Sequence, residues 1–444
     1  MKKYLPQLFN KLVNNWQNFV LSIAFIISLG LAILIAPFDK PDEDLHFFKA
    51  VAVSQGNLIC PLKNNTPVNW IPNKYYLFVS HQNQRKDYFT HKNLQKTNTQ
   101  INETTSCVLP FIYYLIPGAL IFILDKISLS IPIIFYGGRI INLLFAFSLI
   151  YWSCKNLPKQ FKFLSLLVLI LPMTMFQLSS YSKDVFHLSL GIFLFNESLK
   201  YVIYQQENKL KNFIFIFALL LFIISRPQYF GFALLSLLIP FKNKHNLKIR
   251  FRSELILFLV LIQAVIGLLW YLFNNQVYLS PHNQVTSLSY SSQIIPKLQF
   301  FALIHKPWLL PKIMLSGLYH YGGFYLRGLI GIFGWVDRPL PELIYILYFG
   351  LIIKATWQTK KLFKKEKKLT KNFTSKVIAI YLLATILSFI SIFLAMYLYA
   401  SPVENFIVYG IQGRYFLMIL APLILCLGWA ANKLSHLNLK RPKL

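Results

Sequence analysis

Apolar residues run along this chain in blocks long enough to cross a bilayer, not in alternation with polar ones. Blocks at 16–37, 131–152, 163–179, 185–204, 253–273, 341–357, 377–399 and 415–432 predict membrane helices. Two shorter blocks, 212–225 and 228–241, are separated by Ser225-Arg226-Pro227-Gln228. Another apolar stretch, 109–125, is interrupted by Pro110 and by Pro117-Gly118. The first block is too long for the core of a cleavable signal peptide, and Pro37-Phe38-Asp39 lacks the small residues of a cleavage site. The pattern is that of an all-α polytopic membrane protein.

Composition agrees. Of 444 residues, 56% are apolar and 14% charged, and the mean hydropathy is +0.50. Soluble domains carry about 25% charged residues. A soluble enzyme, a disordered chain and a disulfide-dense module are thereby excluded. The net charge of +30, from 45 Lys+Arg and 15 Asp+Glu, needs a separate explanation. In so apolar a chain it reads as the excess of cations in cytoplasmic loops, not as a nucleic-acid surface. Lys242–Arg252 holds five Lys/Arg, Lys360–Lys376 eight, 153–162 three and 432–444 four.

All four clusters fall on one side only if 109–125 stays at the membrane surface and both short blocks cross. That scheme has ten spans, both termini cytoplasmic, in the cell membrane, as a single integral membrane domain over 1–444. The rival, with 109–125 crossing and 212–241 as one broken helix, puts Lys155, Lys159 and Lys162 outside and ranks second. In the ten-span scheme two long loops face outside, 38–130 and 274–340. Their apolar pieces, 109–125 and 318–335, are expected to lie along the interface.

Candidate chemistry collects where the first block ends. Pro41-Asp42-Glu43-Asp44-Leu45-His46 places three acids and a histidine at the membrane surface. Pro41 and the acids also suit the first turn of a helix, so a solvated helix start is an equal reading. Asp42-x-Asp44 is a divalent-metal alternative that is not favoured, and Glu43-x-x-His46 lacks the second copy that a di-iron site needs. Cys60 and Cys107 share the first outside loop, where a bridge and two free thiols are both open. Cys154 and Cys426 read as packing residues. His81, His91, His187, His282, His305 and His320 show no metal spacing. Tyr319, Tyr321, Tyr325 and Trp335 fit an aromatic belt first and a sugar platform second. No glycine-rich phosphate loop is present, so nothing argues for a nucleotide cofactor, and none of another kind is called for.

An apolar helix followed by Pro-Asp-Glu-x-x-His-Phe resembles a bacterial family of polytopic membrane proteins of unknown function, grouped with the GT-C glycosyltransferases. Three later segments share the resemblance: Gly331-Ile332-Phe333-Gly334-Trp335-Val336-Asp337-Arg338-Pro339-Leu340-Pro341, Gln412-Gly413-Arg414-Tyr415-Phe416, and Asp184 after Ser179-Ser180-Tyr181-Ser182-Lys183. It implies a GT-C-like fold and a glycosyltransferase that moves a sugar from a polyprenyl-phosphate donor to a glycan or lipid acceptor on the outer face. By the same resemblance Asp42 or Glu43 is the acceptor-activating carboxylate, with His46 and Asp184 beside it. Departure of the phosphate needs cations in a low-dielectric pocket. Arg139, Arg226, Arg327 and Arg414 lie near outer ends of spans. Arg226, Arg327 and Arg414 are expected to bind phosphate, Arg414 foremost, because an arginine in a long apolar run is expensive to keep. Arg139 is expected to be an interfacial snorkel. A flippase for a lipid-linked saccharide and a non-catalytic scaffold in polysaccharide assembly are the alternatives. The acids cluster at one surface and no halves repeat, which favours the enzyme.

Overall fold

The computed structural model describes residues 16–60, 62–63, 66–80, 100–103, 105–240, 254, 258, 261–262, 265, 294–403 and 405–438. The expected span 253–273, apart from those five positions, and the Lys242–Arg252 cluster lie outside them.

The described chain is helical. It opens with α1 (Trp16–Leu34) and α2 (Glu43–Ser54). Short strands β1 (Leu62–Lys63), β2 (Thr66–Pro67) and β3 (Asn69–Pro72), helix α3 (Asn73–Ser80) and β4 (Gln100–Glu103) follow. β3 and β4 pair antiparallel, from Asn69 opposite Glu103 to Pro72 opposite Gln100. Then come α4 (Leu115–Lys126), α5 (Ile131–Lys155), α6 (Lys159–Ile170), α7 (Pro172–Leu178), α8 (Asp184–Tyr204), α9 (Lys209–Ser225) and a 3₁₀ segment, Pro227–Leu238. After 294 the elements are α10 (Pro296–His305), α11 (Leu309–Ile330), the ribbon β5 (Ile332–Phe333) and β6 (Arg338–Pro339), α12 (Glu342–Lys365), α13 (Lys367–Thr370), α14 (Ser375–Ala400) and α15 (Leu417–Asn438).

Among the described residues, four helical stretches are long and apolar enough to cross a membrane: α1, α5, α14 and Gly413–Ser435. A fifth forms if α6 and α7 count as one span, although they meet at 70°. The block 163–179 reads as one span in the sequence. It breaks because Pro172 forces Leu171 out of the helical region, to φ −59° and ψ 130°. The blocks 212–225 and 228–241 appear as α9, of 17 residues, and a 12-residue 3₁₀ segment. Within 109–125 the helix begins only at Leu115 and packs on α2 and α5. The piece 318–335 divides into the end of α11 and the β5–β6 ribbon.

Two apolar cores form. The larger is shared by α1, α5 to α9, α11, α12, α14 and α15. The smaller lies between α1 and α8, where Phe38, Phe47, Phe78, Phe135 and Tyr181 stack edge to face, with Phe38 and Phe135 centroids 4.9 Å apart. This cluster holds the turn between α1 and α2.

Cys60 and Cys107 form a disulfide with Cα atoms 5.8 Å apart, which settles the pair's open state. It closes a loop of 47 positions between the end of α2 and a 3₁₀ turn at Thr105–Val108. Replacing both cysteines by serine is expected to cost on the order of 3–4 kcal/mol in the chain-entropy picture. Thermal unfolding of the purified protein with and without reductant measures this. An unchanged midpoint with both thiols free in native protein would refute the bridge.

Candidate functional site

The turn from α1 into α2 is strained at two places. Phe38 and Asp42 have φ of 64° and 59°, a left-handed conformation that aspartate tolerates and phenylalanine seldom adopts. Phe38 is kept there by the aromatic core and by its own backbone. Its N–H donates to Glu43 Oε2 at 3.2 Å, and its carbonyl accepts from Trp335 Nε1 at 3.2 Å. Arg338 pairs with Asp39 at 3.3 Å. The Gly334–Pro339 segment thus docks on the Pro37–Pro41 turn.

Glu43 is wholly buried. Arg139 Nε donates to its Oε1 at 2.9 Å and Nη2 to its Oε2 at 2.5 Å, and the backbone N–H of Tyr181 donates to Oε1 at 3.2 Å. Burial opposes the charge on Glu43, but the Arg139 guanidinium, together with Lys40 and the Tyr181 N–H, more than offsets it and holds the carboxyl below its usual range. Arg139 is no snorkel. It is fully buried and also donates to the carbonyls of Ala32, Ile35 and Ala36 at 2.9, 2.6 and 3.1 Å. Those carbonyls end α1, where helical acceptors lack partners and the helix dipole is negative. Lys40, also buried, donates to the carbonyl of Ser179 and to its Oγ. One buried network therefore fixes the end of α1, the start of α2, the middle of α5 and the loop before α8.

A second cluster lies at the exposed side of this network. Arg226 donates from Nε to Asp184 Oδ1 at 2.8 Å and from Nη2 to the same oxygen. Arg414 Nε stands 3.9 Å from Asp184 Oδ2, and its Nη2 4.0 Å from Asp42 Oδ2. These are charge contacts too long for hydrogen bonds. Arg414 Nε is buried and makes no hydrogen bond. Asp42 itself is half exposed, at 54% for the side chain. Burial opposes ionisation of Asp184, and Arg226 and Arg414 more than offset it, holding the carboxyl well below the usual range. His46 bridges Tyr114 Oη, 2.5 Å from Nδ1, and Ser182 Oγ, 3.3 Å from Nε2. Burial, reinforced by Lys183, pushes His46 down to about 3, so its ring is neutral at pH 7. Burial, with Arg226 close by, pushes Lys183 down to about 8.

The Gln412–Phe416 segment explains itself physically. A 3₁₀ turn at Gly413–Phe416 leads into α15. A Cβ at Gly413 would collide with the backbone of Tyr325, Gly328 and Leu329, so only glycine lets the turn sit against α11. That seat points Arg414 at Asp184. Tyr415 lies under Arg226, 4.8 Å from ring centroid to guanidinium carbon, and its carbonyl accepts from Tyr229 Oη. A small pocket is lined by Gln177, Asp184, His187, Arg226, Tyr229 and Arg414.

Asp42, His46, Asp184, Arg226 and Arg414 are thus neighbours, although they come from four separate segments. Glu43 sits apart, saturated by Arg139. Arg327 is exposed and pairs with Glu342 at 2.9 Å, outside the cluster. Sequence reasoning missed Lys40, Tyr114, Ser182, Lys183, Tyr229 and the role of Arg139. For Arg139 a signal existed: a cation deep in an apolar run, the criterion applied to Arg414, applies to it equally.

Residues 25–424 match the model of a family described as predicted membrane protein, DUF2142. No curated protein and no solved structure matches the chain.

Proposed function

The chain belongs to the DUF2142 family of predicted membrane proteins, and on that premise we propose that it is a GT-C-like membrane glycosyltransferase. It moves a sugar from a polyprenyl-phosphate donor to a glycan or lipid acceptor at the outer face. The observation that carries this reading is the convergence of Arg226 and Arg414 on Asp184, beside a half-exposed Asp42, at one pocket.

Sugar transfer from a phosphate breaks the bond between the anomeric carbon and the phosphate oxygen. The electron pair leaves on the phosphate, and two guanidiniums stabilise that charge. Arg226 is already bonded to Asp184, whereas Arg414 is held at charge distance with Nε free to donate. Asp42 takes the proton of the acceptor hydroxyl as its oxygen attacks. Asp184 orients the arginines. Glu43 is a positioning residue in this scheme, holding Asp42 at the surface through Arg139. His46, neutral, ties α2 to the loop before α8. Glycan analysis of a deletion strain tests the whole reading. Wild type should restore the missing glycan and Arg414→Ala should not; full restoration by Arg414→Ala would end it.

The proposed topology has ten spans with both termini in the cytoplasm. A cysteine placed in 155–162 should then resist a membrane-impermeant thiol reagent in intact cells. Labelling from outside would sink the scheme. The 70° break between α6 and α7 favours a second reading, a flippase built on a discontinuous helix. Movement of lipid-linked sugar without bond cleavage would distinguish it.

A further inference from the structure

His187 projects from the first turns of α8 and lines the same pocket as Asp184, Arg226 and Arg414. Its side chain is buried, with the ring stacked on Phe222 at 4.3 Å and tilted against Tyr229 at 4.5 Å. Nδ1 lies 2.9 Å from Ser225 Oγ, and Nε2 has no hydrogen-bond partner. The tautomer follows from counting protons. Ser225 has one hydroxyl hydrogen and gives it to the carbonyl of Phe222 at 2.6 Å. Phe222 is in the last turn of α9, where carbonyls need partners from outside the helical ladder. With that hydrogen assigned to Phe222, Ser225 accepts from His187, which assigns the ring proton to Nδ1. Nε2 is then a bare acceptor.

The pocket thus holds two buried atoms without partners and of opposite kind: Nε2 of His187, which needs a donor, and Nε–H of Arg414, which needs an acceptor. A phosphate diester group has no hydrogen to give and satisfies only the arginine. A phosphate with a hydroxyl next to it satisfies both. In a glycosyl phosphate the sugar's 2-hydroxyl, on the carbon beside the anomeric centre, is the hydroxyl nearest the phosphate. We infer that His187 Nε2 accepts the 2-hydroxyl of a glycosyl phosphate whose phosphate sits between Arg226 and Arg414. This rests on the phosphate-site reading given above and adds to it a residue that distinguishes glycosylated from bare lipid phosphates. A buried acceptor left unmatched makes a site reject the analogue that lacks the hydroxyl.

Binding to the full-length protein in detergent tests it, with citronellyl phosphate and its glucosyl, mannosyl and 2-deoxyglucosyl conjugates as probes. Wild type should hold at least one of the two 2-hydroxy sugars, which are epimers at that carbon, about tenfold more tightly than the 2-deoxy sugar common to both. His187→Phe, which keeps a stacked ring without the acceptor, should abolish that ratio and leave citronellyl phosphate itself bound as in wild type. Equal binding of the 2-hydroxy and 2-deoxy sugars by wild type would overturn the role of His187 and leave the phosphate site standing. Binding of all four probes unchanged in Arg414→Gln, or of none in wild type, would instead overturn the phosphate site. Nitrogen-15 NMR of histidine-labelled wild type supplies a measurement that needs no variant to bind ligand. The His187 signal, identified by its loss in His187→Phe or by its shift in Ser225→Ala, should show protonated Nδ1 and bare Nε2. A proton on Nε2 would overturn the inference, as would a free protein and a glycosyl-phosphate complex with the same Nε2 shift, which is what a pocket holding only water would give.

Discussion

Asp42→Asn is expected to lower sugar transfer by about 10²–10⁴-fold, the usual loss when a positioned base is removed. The substitution isolates the charge. Asparagine shares aspartate's tolerance of the left-handed conformation, so the strained φ of 59° that starts α2 is retained. The side chain is half exposed and touches Arg414 only at 4.0 Å, so folding should be unaffected. Asp44→Asn, two positions on, is the matched control and should be mild. An equally severe loss in Asp44→Asn would mean that the two carboxylates bind a divalent cation together. Initial rates on purified variants, with circular dichroism to confirm the fold, decide between these. Wild-type rates in Asp42→Asn would remove the proposed base.

Glu43→Ala should behave in the opposite way, destabilising the protein by about 3–5 kcal/mol before any effect on chemistry can be read. It strands a fully buried Arg139 beside the last carbonyls of α1 with no carboxylate to balance it. Arg139→Lys should be nearly as damaging. An ammonium has three donors, whereas Arg139 serves two carboxylate oxygens and three carbonyls. The sign of the pH dependence follows from the depressed carboxyl of Glu43. Its contribution is complete above the ordinary glutamate range and is lost as pH falls through the lowered value. Thermal midpoints in detergent for wild type and both variants measure this. A Glu43→Ala protein with a normal midpoint and no transfer activity would return Glu43 to the catalytic group.

The long apolar helices were legible because nothing else in a sequence looks like them. α1, α5, α14 and α15 fall where the blocks 16–37, 131–152, 377–399 and 415–432 predict. The bend at Leu171-Pro172 was also written in the chain, as a proline inside an apolar block, but the block's hydrophobicity concealed it. The sequence resembles a family of predicted membrane proteins, and the family match over residues 25–424 bears out that membership. What sequence could not provide was pairing across distance. Asp184 meets Arg226 from 42 positions away, and Glu43 meets Arg139 from 96. Adjacent acids such as Asp42 and Glu43 look interchangeable on paper. In the fold one faces solvent and the other a guanidinium, because the helix they begin turns successive side chains in different directions.

The most direct test of the glycosyltransferase account uses purified full-length protein in lipid vesicles, supplied with radiolabelled polyprenyl-phosphate sugars and with glycan and lipid acceptors. The account predicts release of polyprenyl phosphate with label appearing on the acceptor, abolished in Arg414→Ala. Label that crosses the vesicle membrane still attached to polyprenyl phosphate, with no bond broken, would contradict it.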